Sequence, residues 1–240
     1  MTPTEPDDRS AVVAALRDVL ADAVVTDATR LDEMRADKSG HRSAAPPLAI
    51  VEARSIDDVQ ATMRVATATR TPVVTRGAGT GLAGAAMAGA GEIVLSTRAM
   101  DRVLEIDEDD LVAVVQPGIL NGAFNDILGE RGLWFAPDPA SRAISTVGGN
   151  IATGAGGLLC AKYGVTRDAV LGLTVVLADG RVVRTGHRSV KGVTGLDLTA
   201  LMVGSEGLLG VVVEATVRLR PRRRKQATTS AFFGSVSDAA

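Results

Sequence analysis

The run Pro72-Val73-Val74-Thr75-Arg76-Gly77-Ala78-Gly79-Thr80-Gly81-Leu82-Ala83-Gly84 decides how this chain folds. An apolar, β-branched stretch gives way after Arg76 to closely spaced glycines, the pattern of a strand feeding a backbone-permissive loop. Successive N–H groups in such a loop form a concave anion site, and a diphosphate is the obvious candidate. Just upstream, Leu48 to Val51 reads as a buried strand. Ser55-Ile56-Asp57-Asp58 then resembles a capping box, with Asp in the Glu/Gln slot, opening a helix with Val59, Met63 and Ala66 inward. Strand, helix and strand in that order predict a parallel pair. Gly79, Gly81 and Gly84 also satisfy the G-x-G-x-x-G spacing, with Asp101 downstream, which would suggest a Rossmann fold binding a nicotinamide cofactor. Two features argue against it. Ala85 to Gly91 holds two more glycines and is too short for the crossover helix, and the motif follows the second strand of its unit rather than the first.

Working outward, Ser10 is expected to cap a helix with Val12, Val13, Leu16, Val19 and Leu20 on one face, followed by a short strand at Val24 and Val25. Asp27 to Pro47 reads as an extended lead-in. Beyond the glycine loop, Ile93 to Ser96, Val103 to Ile106 and Leu111 to Val115 are predicted strands, with Asp107-Glu108-Asp109-Asp110 a solvated acidic turn. Leu120 to Leu128 fits a helix. Asp179-Gly180 between two apolar runs signals a hairpin with a type I′ turn, and from Val211 to Leu219 the odd positions form an apolar face. A βαβ half thus precedes a hairpin-rich half. The expectation is an α+β fold of two lobes, one small and of βαβ type, the other a larger mixed or antiparallel sheet flanked by helices. The divisions are 1–47 (N-terminal helical segment and lead-in), 48–221 (two-lobed binding domain) and 222–240 (the start of another domain).

Composition narrows the function. The 240 residues carry 26 basic against 28 acidic groups, a balance that argues against a general nucleic-acid binder. Aromatics are only 2%, so the core must be built from aliphatic side chains, while the 26 glycines are clustered. A single cysteine, Cys160, excludes a disulfide framework and a Cys-based zinc site. Met1 to Ser10 has no apolar core of a signal peptide, and Leu198 to Val217 carries Glu206, Glu214 and three glycines, so no membrane span is expected. The reading is of a cytoplasmic protein with no metal site.

Two further glycine clusters follow: Gly148-Gly149-Asn150 with Gly154-Ala155-Gly156-Gly157, and Gly204-Ser205-Glu206-Gly207-Leu208-Leu209-Gly210. Three such loops favour a long ligand approached by backbone at several points, with a flat ring against an aliphatic wall. The runs from Pro72 to Leu82, Gln116-Pro117-Gly118, Pro137-Asp138-Pro139, Gly148-Gly149-Asn150, Ala155-Gly156-Gly157, Lys162-Tyr163-Gly164 and Gly204 to Gly210 occur in one order. That order resembles the FAD-binding domain of the vanillyl-alcohol oxidase superfamily, in the branch of the glycolate oxidase large subunit and the FAD-dependent D-lactate and D-2-hydroxyglutarate dehydrogenases. The resemblance spans about Leu48 to Pro221. It implies FAD between the lobes, with Arg76, Gly77, Ala78, Gly79, Thr80, Gly81 and Leu82 around the diphosphate. It places Pro137, Asp138, Gly148, Gly149, Asn150, Ala155, Gly156 and Gly157 along the flavin and its ribityl chain, Tyr163 among the cofactor-binding residues, and Glu206, Gly207 and Val211 toward the adenosine side or the neighbouring wall. Gly154 stands where the branch often has Asn, and Leu196 where Tyr is usual. No His occupies the first loop, which implies a non-covalent flavin.

Oxidising a D-2-hydroxy acid requires a carboxylate clamp and a base. The two histidines, His41 and His187, fall in loops and read as exposed; no catalytic residue is assigned. Related enzymes carry their substrate residues in a following domain. Ala231-Phe232-Phe233 reads as its opening strand and Arg222 to Lys225 as a solvated linker, so this chain reads as the cofactor half of an enzyme whose substrate groups come from a second domain or subunit. The alternatives are a non-catalytic FAD-holding subunit and, less well supported, the Rossmann dehydrogenase. Cys160 reads as a partly buried small residue, and Ser205 and Glu206 have no nearby His for hydrolase chemistry.

Overall fold

A computed structural model describes residues 6–189, 191–222 and 227–239. Two sheets face each other across one helix. The first has the order β1-β2-β4-β3, from β1 (Val24–Val25), β2 (Ala49–Glu52), β3 (Val73–Arg76) and β4 (Ile93–Ser96). β2 and β3 both run parallel to β4, and β1 is antiparallel to β2. The expected parallel relation of β2 and β3 is present, but they are not neighbours, because β4 lies between them. The glycine loop is therefore itself the β3–β4 crossover. It forms without a helix because its glycines favour turns over helical propagation.

α1 (Pro6–Leu20) begins before Ser10, so that residue lies inside the helix rather than at its cap. Val12, Leu16 and Leu20 are buried, but Val19 is 56% exposed and leaves the predicted face. The lead-in also holds α2 (Ala28–Glu33), capped by Asp27, whose carboxylate accepts the Arg30 N–H at 3.0 Å. α3 (Ile56–Ala68) forms as its sequence predicts. The Ser55 hydroxyl accepts the Asp58 amide at 3.1 Å, while the Asp58 carboxylate accepts the Arg54 amide at 2.7 Å, one residue outside the usual box. Val59, Met63 and Ala66 are buried.

The second sheet is antiparallel throughout, in the order β5-β6-β10-β8-β9. Its strands are β5 (Val103–Asp107), β6 (Val112–Val115), β8 (Val170–Val176), β9 (Val182–Gly186) and β10 (Val211–Arg218), with β7 (Leu133–Trp134) pairing separately with β11 (Arg220–Pro221). The β5–β6 turn is closed by Asp107, whose carboxylate accepts the amides of Asp109 and Asp110. The β8–β9 turn differs from the expected type I′. Of Asp179 and Gly180 only the glycine has positive φ, and Gly180 N donates to Leu177 O at 2.9 Å, the signature of a three-residue loop with a glycine bulge.

α3 links the lobes. Gln60 Nε2 donates to Gly180 O at 2.6 Å, Thr67 Oγ1 donates to Ala178 O at 2.5 Å, and Val176, Val211 and Val213 pack into the same core as Val59 and Met63. A second core lies between this sheet, α4 (Asn121–Glu130) and α5 (Val147–Thr153), around Phe124, Leu128, Phe135 and Ile151. After α5 come the short α6 (Cys160–Tyr163), α7 (Thr166–Ala169) and α8 (Leu198–Met202). The expected strand at Ala231-Phe232-Phe233 does not form: Phe232 is 96% exposed and the segment pairs with no strand among the described residues, ending in α9 (Val236–Ala239). In the basic run, Arg222 N donates to Gly132 O at 2.7 Å, and residues 223–225 lie outside the described residues. Among the described residues no helix is long and apolar enough to cross a membrane, and no cluster of three or more His, Cys, Asp or Glu could hold a metal.

Candidate cofactor-binding site

A cleft of 980 Å³ opens where the lobes meet, at the upper end of the roughly 300–1,000 Å³ usual for cofactor sites. One wall is the end of β3 and the loop after it; the other is α5 with its flanking turns, the third glycine cluster and Val212 of β10. The three glycine clusters meet because each is fastened to the next. A Cβ built on Gly77 would stand 2.5 Å from Thr146 Oγ1, so glycine lets the first loop touch the cap of α5. That same hydroxyl accepts the Gly149 amide at 3.1 Å, and Gly154 ends the helix in the left-handed region. The third cluster hangs on the other end of α5: Gly204 N donates to Ile151 O at 3.0 Å and Glu206 N to Ala152 O at 2.8 Å.

The first loop is open to the cleft. Gly77, Ala78, Gly79, Thr80 and Gly81 all line it, and among the described residues none of their amides donates to a protein acceptor. Half-buried amides left free in series make an anion cradle.

Arg76 does not join that cradle. Its guanidinium turns beneath the loop, where Nη2 donates to Ala36 O at 2.9 Å and Nη1 donates to Ala86 O. Burial depresses its pKa, and the nearby Asp37 carboxylate works the other way. Asp37 is itself held below its ordinary value. Burial raises it, but Ser39, the Ala86 amide and the Arg76 charge together outweigh that cost.

Of the other expected residues, Gly148, Gly149, Asn150, Ala155, Gly156, Glu206, Gly207 and Leu82 line the cleft. Five more lie outside its wall. Asp138 accepts the Leu159 amide at 3.0 Å and ties down the 157–160 turn, and Gly157 packs against the Asp138 backbone. Pro137 O accepts Asn121 Nδ2 at 3.1 Å within a buried chain in which Asn121 also donates to Asn150 Oδ1 at 3.0 Å. The Tyr163 ring lies edge-on to Trp134, centroids 4.9 Å apart, with the Arg220 guanidinium 5.3 Å from it. Val211 is buried in the core, and its neighbour Val212 reaches the cleft instead, because adjacent strand residues face opposite ways. Cys160 is half-buried, its Sγ accepting the Gly157 amide at 3.0 Å. Sequence reasoning assigned no role to Lys38, Thr75, Thr97, Pro117, Ser141, Ile144 and Thr146 in the wall; Thr75 and Pro117 fall within the quoted runs and Thr146 caps a glycine-containing helix, whereas Lys38, Thr97, Ser141 and Ile144 have no local signal.

The family model described as FAD binding domain matches residues 47–186, more than half of the chain. The chain belongs to the FAD-binding domain family. Relatives of this FAD-binding domain include the glycolate oxidase subunit GlcD of Bacillus subtilis, 44% identical over 81% of this chain and 41% of its own length. The D-2-hydroxyglutarate dehydrogenase of Stutzerimonas stutzeri is 42% identical over 82% of this chain and 42% of its own. The fold is also that of p-cresol methylhydroxylase, with a TM-score of 0.80 at 24% identity over 92% of this chain and 45% of that one. The chain thus spans less than half the length of these relatives.

The cleft of this FAD-binding domain fits the group the family is named for. Free amides suit a diphosphate, small side chains and glycines leave room for a flat ring, and Val212, Ala152 and Ile144 give it apolar surface. Lys38 and Glu206 are the charged side chains in the wall among the described residues.

Proposed function

We propose that this chain is the FAD-binding half of a flavin-dependent oxidoreductase acting on the CH–OH group of a D-2-hydroxy acid, with FAD held non-covalently between the lobes. The observation that carries this is the row of unpartnered amides from Gly77 to Gly81 on the cleft wall, in a chain whose relatives are named for glycolate, D-lactate and D-2-hydroxyglutarate. When bound, FAD supplies a two-electron acceptor for the hydride leaving the substrate's α-carbon. The chain's own residues do the binding and shaping. Amides of residues 77–81 hold the diphosphate, Asn150 and the glycines beside it line the flavin side, and the aliphatic wall keeps water from it.

Neither histidine lines the cleft. His41 and His187 are exposed, and His187 Nδ1–H donates to Ser189 O. Carboxylate clamp and proton acceptor are accordingly assigned to a second domain or subunit. Purified protein should take up FAD with a resolved visible flavin spectrum, yet fail to reduce an artificial acceptor with D-lactate, D-2-hydroxyglutarate or glycolate. Adding the partner portion should restore turnover. A chain that neither carries nor binds FAD would overturn the reading, and turnover by this chain alone would refute the division of labour.

A further inference from the structure

We infer that Lys38, in the lead-in before the first core strand, supplies the full positive charge opposite the ligand's diphosphate. This rests on the FAD reading above and goes beyond it by naming a side chain outside the glycine motifs. Amides carry only partial charges, and a doubly anionic diphosphate brought into a partly desolvated cleft is better stabilised with a cation in reach. Arg76, the cation within the motif, is unavailable. It lies under the loop beside Asp37, with donors committed to Ala36 O and Ala86 O.

Lys38 has the complementary placement. It is the cationic residue in the cleft wall among the described residues, and its side chain is exposed and makes no ion pair with any of them. Its backbone is fixed to the cradle, because Lys38 N donates to Gly81 O at 3.1 Å. The preceding Ala36 carbonyl receives Arg76, and the Asp37 carboxylate accepts the Ser39 amide at 2.8 Å. Asp37 therefore faces inward toward Arg76 while Lys38 faces the cleft. The buried cation feels the Asp37 charge, whereas Lys38 forms no ion pair with any described residue, Glu206 across the cleft wall included.

The test is titration of purified wild type, Lys38→Met and Lys38→Arg with FAD and with riboflavin, which lacks phosphate, at low and high ionic strength, with thermal unfolding as the control for folding. Lys38→Met should weaken FAD binding roughly tenfold at low salt, the scale of one charge-assisted hydrogen bond. It should also flatten the salt dependence, leave riboflavin affinity and unfolding temperature unchanged, and be rescued in large part by Lys38→Arg. Unchanged FAD affinity in Lys38→Met, or an equal loss for riboflavin, overturns the assignment. Wild-type protein that binds no FAD overturns the functional reading beneath it.

Discussion

Gly79 sits directly on the guanidinium of Arg76: a Cβ added to the glycine would come within 2.7 Å of Cζ. With φ at +68°, Gly79 also turns the chain through the left-handed region. The loop can cover its own strut only because that position has no side chain. The missing Cβ of Gly79 points at Arg76, while its backbone lines the cleft with that of its neighbours.

Gly79 and Gly81 should therefore fail in different ways. Gly79→Val must displace Arg76 and adopt a backbone conformation costing about 1–2 kcal/mol by itself, so the unfolding temperature should drop along with FAD binding. At Gly81 a Cβ would meet no atom within 4 Å, and φ is not positive. Gly81→Val should unfold like wild type yet lose FAD affinity, since its side chain projects into open space beside the cradle. Thermal unfolding and flavin titration on both variants check this; equal destabilisation would contradict it.

Asn121 should prove a fulcrum of stability. It is fully buried, donates to Pro137 O and Asn150 Oδ1, and accepts Asn125 Nδ2 at 3.0 Å. Asn121→Ala strands the Pro137 carbonyl and leaves Asn150 Oδ1 with only the longer 3.5 Å bond from Ser145 Oγ, so urea unfolding should show a loss of about 2–3 kcal/mol. FAD affinity should fall as well, because the Asn121 bond is the shorter of the two that hold Asn150 on the cleft.

Acid should loosen the loop through Asp37. Its folded-state pKa lies below the ordinary 3.8, so its contribution to stability is complete above that value and is lost as pH falls through the lower, folded one. Oδ1 accepts the Ser39 amide, whereas Oδ2 is buried without a hydrogen bond of normal geometry, and the Ala86 amide and then the Arg76 charge favour the ionised carboxylate. Asp37→Asn should be less stable at neutral pH, where Arg76 loses its counter-charge, and should show a shallower decline below pH 3.8 in urea unfolding. An acid limb identical to wild type would remove Asp37 from the account. The exposed carboxylates paired with arginine, such as Asp32 and Glu105, add to the decline in both proteins.

What the sequence determined by itself was whatever depends on residues within a turn of one another. The Ser55 cap, the inward face of α3, the Asp107 turn and the odd-numbered core face of β10 each follow from local spacing, and so does the presence of a permissive loop after β3. The order of the glycine clusters carried the family likeness. Tertiary structure alone decided which atoms face the cleft. Arg76 reads as an anion-binding residue until a carbonyl 40 positions earlier draws it beneath the loop, and Lys38 has no motif to announce it until the lead-in docks against Gly81. β4 separates β2 from β3, and Val212 rather than Val211 reaches the ligand wall, because strand pairing and facing are settled by contacts between segments far apart in the chain. Such contacts form only when segments distant in the chain pack together, so no window of neighbouring residues contains them.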